Sequence, residues 1–270
     1  SAVVASVYGI PHARVAIGLA ISEERMLRLS IESVDRLRVA EGIAADGGAA
    51  LRGAPTFTAM PLSLEDPEEM GPASTVRVRA PRSEAARKPL PAWWGDDTRP
   101  LVYVTFGTIA GGSPTARGAY KTALEAVADL PIRVLLTTGH NFDASLLGVV
   151  PPNAHIEAWV PQLDVFPHAA LTVCHAGSGT VLGALESGVP MVAIPLFADQ
   201  PPNARRVAAV GAGLMVEGRT ATAEAVRDAI SALLADEAPR RVAQRIAAEL
   251  AALPTTDIAV EAFEAMVAKR

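Results

Sequence analysis

Four short apolar runs, Leu101 to Phe106, Ile132 to Thr137, Leu171 to Cys174 and Met191 to Ile194, are bounded by turn residues and separated by helical patterns. Continuous apolar runs this short are the signature of strands buried on both faces. Pro114 to Asp129 places Ala116, Ala119, Ala123, Ala126 and Val127 near one helical face, and Thr222 to Leu234 places Ala225, Val226, Ala229 and Leu233 on another. Strands alternating with helices imply right-handed crossovers and a doubly wound parallel sheet, whose ligand crevice lies beyond the carboxyl ends of the strands. Thr108 and His175 both fall at such ends.

The run Thr172 to Thr180 (Thr-Val-Cys-His-Ala-Gly-Ser-Gly-Thr) reads as a buried strand ending in a histidine, then a glycine turn opening a helix. That is a phosphate-binding geometry. The first turn of a helix leaves backbone N–H groups without intrahelical partners and carries partial positive charge, so small residues there let an anionic oxygen approach. It is neither of the two commonest phosphate loops. A Walker loop ends in Gly-Lys-Ser/Thr, and no lysine lies between Lys121 and Lys269. The dinucleotide fingerprint needs a third glycine where this chain has Leu182, with Gly183 one residue late. A plain strand-to-helix turn with a satisfied core histidine is the competing interpretation of this segment alone.

Composition excludes several classes of function. The 270 residues are half hydrophobic, enough for one large or two modest cores. No apolar run approaches the roughly 20 residues of a membrane span, and nothing reads as a signal peptide. A net charge of −5, from 24 basic and 29 acidic residues, leaves no basic stripe for nucleic acid. The single cysteine, Cys174, excludes an internal disulfide and reads as a small buried thiol, and these features together predict a cytoplasmic location. No grouping of histidine, cysteine and carboxylate has metal-ligand spacing.

Several words of the sequence carry a resemblance. Trp159-Val160-Pro161-Gln162, His175 to Thr180, Gly188-Val189-Pro190, Pro195 to Gln200 (Pro-Leu-Phe-Ala-Asp-Gln) and Asn203 to Val207, preceded by Val102 to Thr108, follow one another as in family-one glycosyltransferases with the GT-B fold. The likeness is to the bacterial enzymes that glycosylate antibiotics and macrolides. It implies an α/β, GT-B type architecture: a partial N-terminal Rossmann-like acceptor domain over residues 1–88, a linker over 89–98, a complete C-terminal Rossmann-like donor domain over 99–254, and a C-terminal helix over 255–270 crossing back to the acceptor domain. Gly9 to Gly18 resembles a segment from the middle of the family's acceptor domain, so roughly the first third of a typical member is expected to be missing from this chain, as in a truncated product, a proteolysed fragment or an incompletely recorded sequence.

The resemblance also implies site roles. Trp159 would lie flat on a uracil or thymine ring and the Val160 backbone would pair with the base edge. His175, with Gly177, Ser178, Gly179 and Thr180 at the helix start, would hold the diphosphate, and Thr108 would reach it from the opposite lip. Asp199 and Gln200 would bind sugar hydroxyls. Core or capping duties are the plainer alternatives for Trp159 and Asp199, and Gln162 reads equally well as a helix start. The ribose-binding glutamate that plant members carry eight residues after the signature histidine is Gly183 here, with Glu186 on a neighbouring face. The catalytic base is unknown: in the family it is a histidine near the native N-terminus, in the absent segment, so the chain by itself is expected to be inactive. His12 reads as a core or cleft residue, and His140, His155 and His168 as surface or packing residues.

The implied activity is inverting transfer of a hexose or deoxyhexose from a TDP- or UDP-sugar to a hydroxyl of a hydrophobic natural product, with no cofactor, no metal, no nucleic-acid partner and an optional homodimer. The alternatives are a nucleotide-sugar binding module or auxiliary protein without turnover, and a nucleotide-sugar 2-epimerase, which would be expected to show acidic catalytic residues near the phosphate loop.

Overall fold

The computed structural model describes residues 2–80, 89–110, 114–140 and 142–268, so Ser1 and positions 81–88 of the expected first domain, positions 111–113 and 141 of the expected donor domain, and Lys269 and Arg270 of the expected last helix lie outside the described residues. The chain divides into two compact units, Ser1–Arg82 with Glu249–Arg270, and Ser83–Ala248.

The first unit contains helix α1 (Ala2–Val7), strand β1 (Arg14–Ala16), the long helix α2 (Ala20–Ala40), the short helix α3 (Ala49–Gly53) and strands β2 (Thr56–Thr58) and β3 (Thr75–Arg77). The three strands form a parallel sheet in that order. His12 precedes β1 instead of lying in it, and its Nε2 is buried without a hydrogen-bond partner.

The second unit is the doubly wound sheet. Strands β4 (Leu101–Thr105), β5 (Arg133–Thr137), β6 (Ala154–Glu157), β7 (Ala169–Cys174), β8 (Met191–Ala193) and β9 (Gly213–Met215) are all parallel, in the order β6-β5-β4-β7-β8-β9. The chain moves outward through β4, β5 and β6, then returns to the centre and moves the other way from β7. The order therefore reverses between β4 and β7, the position at which open α/β sheets bind ligands. Between the strands come helices α4 (Gly107–Ala110), α5 (Pro114–Val127), α6 (Gln162–Val165), α7 (Ser178–Glu186) and α8 (Gln200–Ala209); α9 (Ala223–Ala235) and α10 (Ala238–Ala252) follow β9, and α11 (Asp257–Ala268) of the first unit comes last.

The four strands legible in the sequence are largely apolar because helices cover both faces, with Thr105, Thr137 and Thr172 as buried polar members. Val102, Val104, Val134, Leu136, Val173 and Val192 pack beneath Ala116, Ala119, Ala123, Ala126 and Val127 of α5. On α9 the buried face is Val226, Ala229, Ile230 and Leu233, whereas Ala225 is exposed: the helix is turned slightly from the expected stripe so that the larger Ile230 reaches the core. Strand β6 (Ala-His-Ile-Glu) lacks an apolar run, and β9 (Gly-Leu-Met) offers only a three-residue one. As sheet edges they are partly open to solvent, and β6 is closed over instead by Trp93, whose ring stacks on His155 at 4.6 Å, with Trp94 edge-on at 6.1 Å. In the C-terminal helix α11, Phe263 rests on Phe57 of β2 at 5.5 Å, within the first unit.

Candidate functional site

Beyond the carboxyl ends of β4 and β7 the second unit opens a pocket of about 570 Å³. All ten residues singled out from the sequence line it: Thr108, Trp159, Val160, His175, Gly177, Ser178, Gly179, Thr180, Asp199 and Gln200. They come from four separate loops. Gln162, Phe197 and Ala198 join them at the rim, and Tyr103, Thr105, Thr137 and Gly139 line it from the strand ends. A larger cavity of about 910 Å³ lies on the first unit's sheet, but there Arg14, Arg28, Arg52 and Arg77 are each paired with a glutamate, so its charge is internally balanced.

Two glycines hold His175 in place. A methyl on Gly107 would stand 2.8 Å from the imidazole Nε2, and one on Gly177 2.5 Å, so any other residue at either position would displace the ring. Gly107 also has φ +78°, a left-handed conformation that costs other residues strain. Burial pushes the His175 pKa down from 6.5 to about 4, against an opposing upward pull from the Asp199 carboxylate. The ring is thus neutral at pH 7, with one N–H to give. Its Nδ1 is buried without a partner.

Helix α7 begins at Ser178, with Gly177 as a cap that offers no side-chain bond. Ser178 donates its hydroxyl to Asp199 Oδ2 at 2.6 Å and its backbone N–H to the same oxygen at 3.3 Å. Asn203, 1 % exposed, donates its amide to that oxygen at 3.0 Å, to Ser178 Oγ at 3.2 Å and to the Ala176 carbonyl at 3.0 Å. Asp199 precedes α8 without capping it; its side chain serves the start of α7 instead. The donors assigned to a phosphate at Ser178 are therefore engaged by a carboxylate in this structure. Ala176 and Ala198, at φ 60° and 58°, are left-handed alanines in the two loops that Asn203 and Asp199 tie together. Such positions cost on the order of 1–3 kcal/mol each and persist where surrounding bonds over-determine them.

Gln200 is buried at 4 % exposure, and its Oε1 accepts the N–H groups of Leu196 and Phe197 at 2.8 and 2.9 Å, so one end of the amide braces the loop that carries Asp199. Gln162 does open α6, and its Oε1 accepts the Thr180 hydroxyl at 3.3 Å. Trp159 is not a core residue: it is 49 % exposed, with the His140 ring nearly parallel at 5.9 Å. Gly183 packs against Phe166, and a Cβ there would lie 2.8 Å from the ring, which leaves no room for a glutamate at that position. Glu186 ends α7, at the opposite terminus from the pocket. Cys174 is fully buried, its thiol pushed up to about 12 by burial. Among the described residues no group of histidine, cysteine and carboxylates could hold a metal ion, and no helix is long and apolar enough to cross a membrane.

Sequence reasoning passed over Tyr103, whose hydroxyl meets Thr137 Oγ1 at 2.9 Å, and gave Asn203 no role. The strand-end rule marks Thr105 and Thr137; Asn203 opens the word Asn203 to Val207, but nothing local gives it this role.

A parallel sheet with its pocket at the reversal point, together with the first unit's α/β architecture, defines the class: α/β proteins of the GT-B glycosyltransferase type. The chain belongs to the family of the erythromycin biosynthesis protein CIII-like C-terminal domain, whose model matches residues 121–266. It is 33 % identical over 172 residues to demethyllactenocin mycarosyltransferase of Streptomyces fradiae, covering 64 % of this chain and 37 % of that protein. It is 34 % identical over 179 residues to 4′-demethylrebeccamycin synthase of Lentzea aerocolonigenes, covering 66 % and 41 %. The chain thus spans less than half the length of these relatives. The crystal structure of the kitacinnamycin glycosyltransferase superposes with a TM-score of 0.78 at 25 % identity, over 98 % of this chain and 72 % of that one. VinC, solved in complex with DTDP, shares the fold with a TM-score of 0.78 at 24 % identity, over 99 % and 69 %.

Proposed function

We propose that the chain carries the donor site of an inverting glycosyltransferase that moves a hexose or deoxyhexose from a TDP- or UDP-sugar to a hydroxyl of a hydrophobic natural product. The observation that carries this reading is the convergence of Thr108, Trp159, Val160, His175, Gly177 to Thr180, Asp199 and Gln200, from four loops, on one pocket at the β4/β7 reversal. The names of the relatives support the natural-product acceptor, and VinC, of the same fold, was solved in complex with DTDP.

In this reading the nucleobase lies on the exposed face of Trp159, with the Val160 backbone at its edge. His175, Gly179 and Thr180 face the diphosphate, with Thr108 opposite, and the sugar extends toward Asp199 and Gln200. As the anomeric bond breaks, charge grows on the leaving diphosphate, and fixed N–H and O–H donors in a dry pocket stabilise that charge without reorganising. The neutral His175 ring contributes one such donor. The donor pocket itself needs no metal.

Calorimetric titration of the folded protein with thymidine and uridine diphosphate, with and without a chelator, tests the proposal. At least one nucleotide should bind with an affinity that the chelator leaves unchanged. Absence of binding, or strict dependence on a divalent ion, overturns it.

A further inference from the structure

The phosphate end of the pocket holds an anion that belongs to the protein. Asp199 Oδ2 receives the Ser178 hydroxyl at 2.6 Å, the Ser178 backbone N–H at 3.3 Å and the Asn203 amide at 3.0 Å. The 2.6 Å separation is that of a charge-assisted bond to a carboxylate, and the backbone donor is the first N–H of α7, where the helix favours negative charge. Beyond Gly179, the N–H groups of Thr180 and Val181 both go to the Gly177 carbonyl. A ligand phosphate approaching the start of α7 beside Gly179 therefore meets a carboxylate already seated on both Ser178 donors.

We infer that Asp199 makes this site discriminate between the intact nucleotide sugar and the bare nucleoside diphosphate. The inference rests on the donor-site reading above and adds a direction to it. A bare diphosphate carries an additional ionised oxygen on its terminal phosphate at neutral pH and has nothing to offer a carboxylate, so it meets Asp199 as like charge against like charge. In a nucleotide sugar that oxygen is esterified, and hexose hydroxyls donate to the carboxylate, which offsets what it loses when it gives up Ser178. The carboxylate thus weakens binding of the product of transfer relative to the donor, favouring release of the spent diphosphate. Asn203 positions the carboxylate for this by bonding it, Ser178 and the Ala176 carbonyl at once.

The test compares calorimetric affinities of thymidine diphosphate with TDP-glucose, and uridine diphosphate with UDP-glucose, for the wild type, Asp199→Asn, Asp199→Ala and Asp199→Glu. Removing the charge should tighten the bare diphosphate by about tenfold while leaving the sugar nucleotide no tighter, so the preference for the sugar nucleotide falls by about the same factor. Asp199→Glu, which keeps the charge, should keep the preference. The Asn and Ala variants change side-chain size differently, so agreement between them separates charge from packing. Equal weakening of both ligands in Asp199→Asn and Asp199→Ala, or loss of the preference in Asp199→Glu, overturns this inference and leaves the donor-site reading standing. A wild type that binds none of the four ligands overturns both.

Discussion

At the scale of single residues, Trp159 and His175 give the sharpest tests because their surroundings separate function from packing. Trp159 is half exposed, so Trp159→Ala should leave stability nearly unchanged while weakening the nucleotide by about 1–3 kcal/mol, the range for a base stacked on an aromatic side chain. Equal calorimetric affinity in the mutant would remove the ring from the site. His175 has its effect on stability through protons. Its pKa is depressed from 6.5 to about 4 on folding, so between these values the unfolded chain binds more protons than the native one. Stability contributed by the neutral ring is therefore fully present above pH 6.5 and lost as the pH falls toward 4. Urea midpoints measured across that window should drop more steeply for the wild type than for His175→Gln, and parallel curves would show that the ring is not the titrating group. Trp159 and His175 were legible in the sequence because their words sit in a fixed order along the chain. Asn203 belonged to one of those words too, yet its role was not legible, because its bonds reach 25 and 27 residues back to Ser178 and Ala176.

At the scale of elements, the turn joining β4 to α4 and the start of α9 are set by short-range rules that substitutions can test. Gly107→Ala would place a methyl 2.8 Å from the His175 ring at φ +78°, adding overpacking to left-handed strain. A destabilisation of about 2–4 kcal/mol by urea titration is expected, together with a displaced imidazole and weaker diphosphate binding. At α9, Thr222 accepts the Ala225 N–H at 3.2 Å, and Thr222→Ala should cost about 1 kcal/mol by the same titration with no effect on ligand affinity. The four central strands were readable because burial on both faces demands side chains that are apolar at most positions. Strands β6 and β9 were not, because an edge strand has an open side, and β6 is completed by Trp93, 62 residues earlier than the His155 it covers. The stripe on α9 was misjudged by one position for a related reason: periodicity gives a face, and contact with the sheet decides which residue of that face is central.

At the scale of the whole molecule, each unit has its own sheet, and every residue lining the candidate pocket belongs to Ser83–Ala248. Calorimetric unfolding is accordingly expected to show two transitions, of which nucleotide moves only one. Saturation at a hundred times the dissociation constant should stabilise that transition by about 2.7 kcal/mol. A single transition displaced as a whole would show the two units melting together. What the sequence by itself determined was the α/β class, the parallel order of strand and helix, the glycine-rich helix start after His175 and the family to which these words belong, since all of these are written in local periodicity and in motifs a few residues long. What only the tertiary structure decided was the convergence of four loops on the β4/β7 reversal, the confinement of His175 between Gly107 and Gly177, the closing of the Gly183 position by Phe166, and the seating of Asp199 on the donors of α7. Each of these is a contact between segments distant in the chain, and such contacts are fixed by how the sheet and its helices pack, which no local pattern of residues encodes.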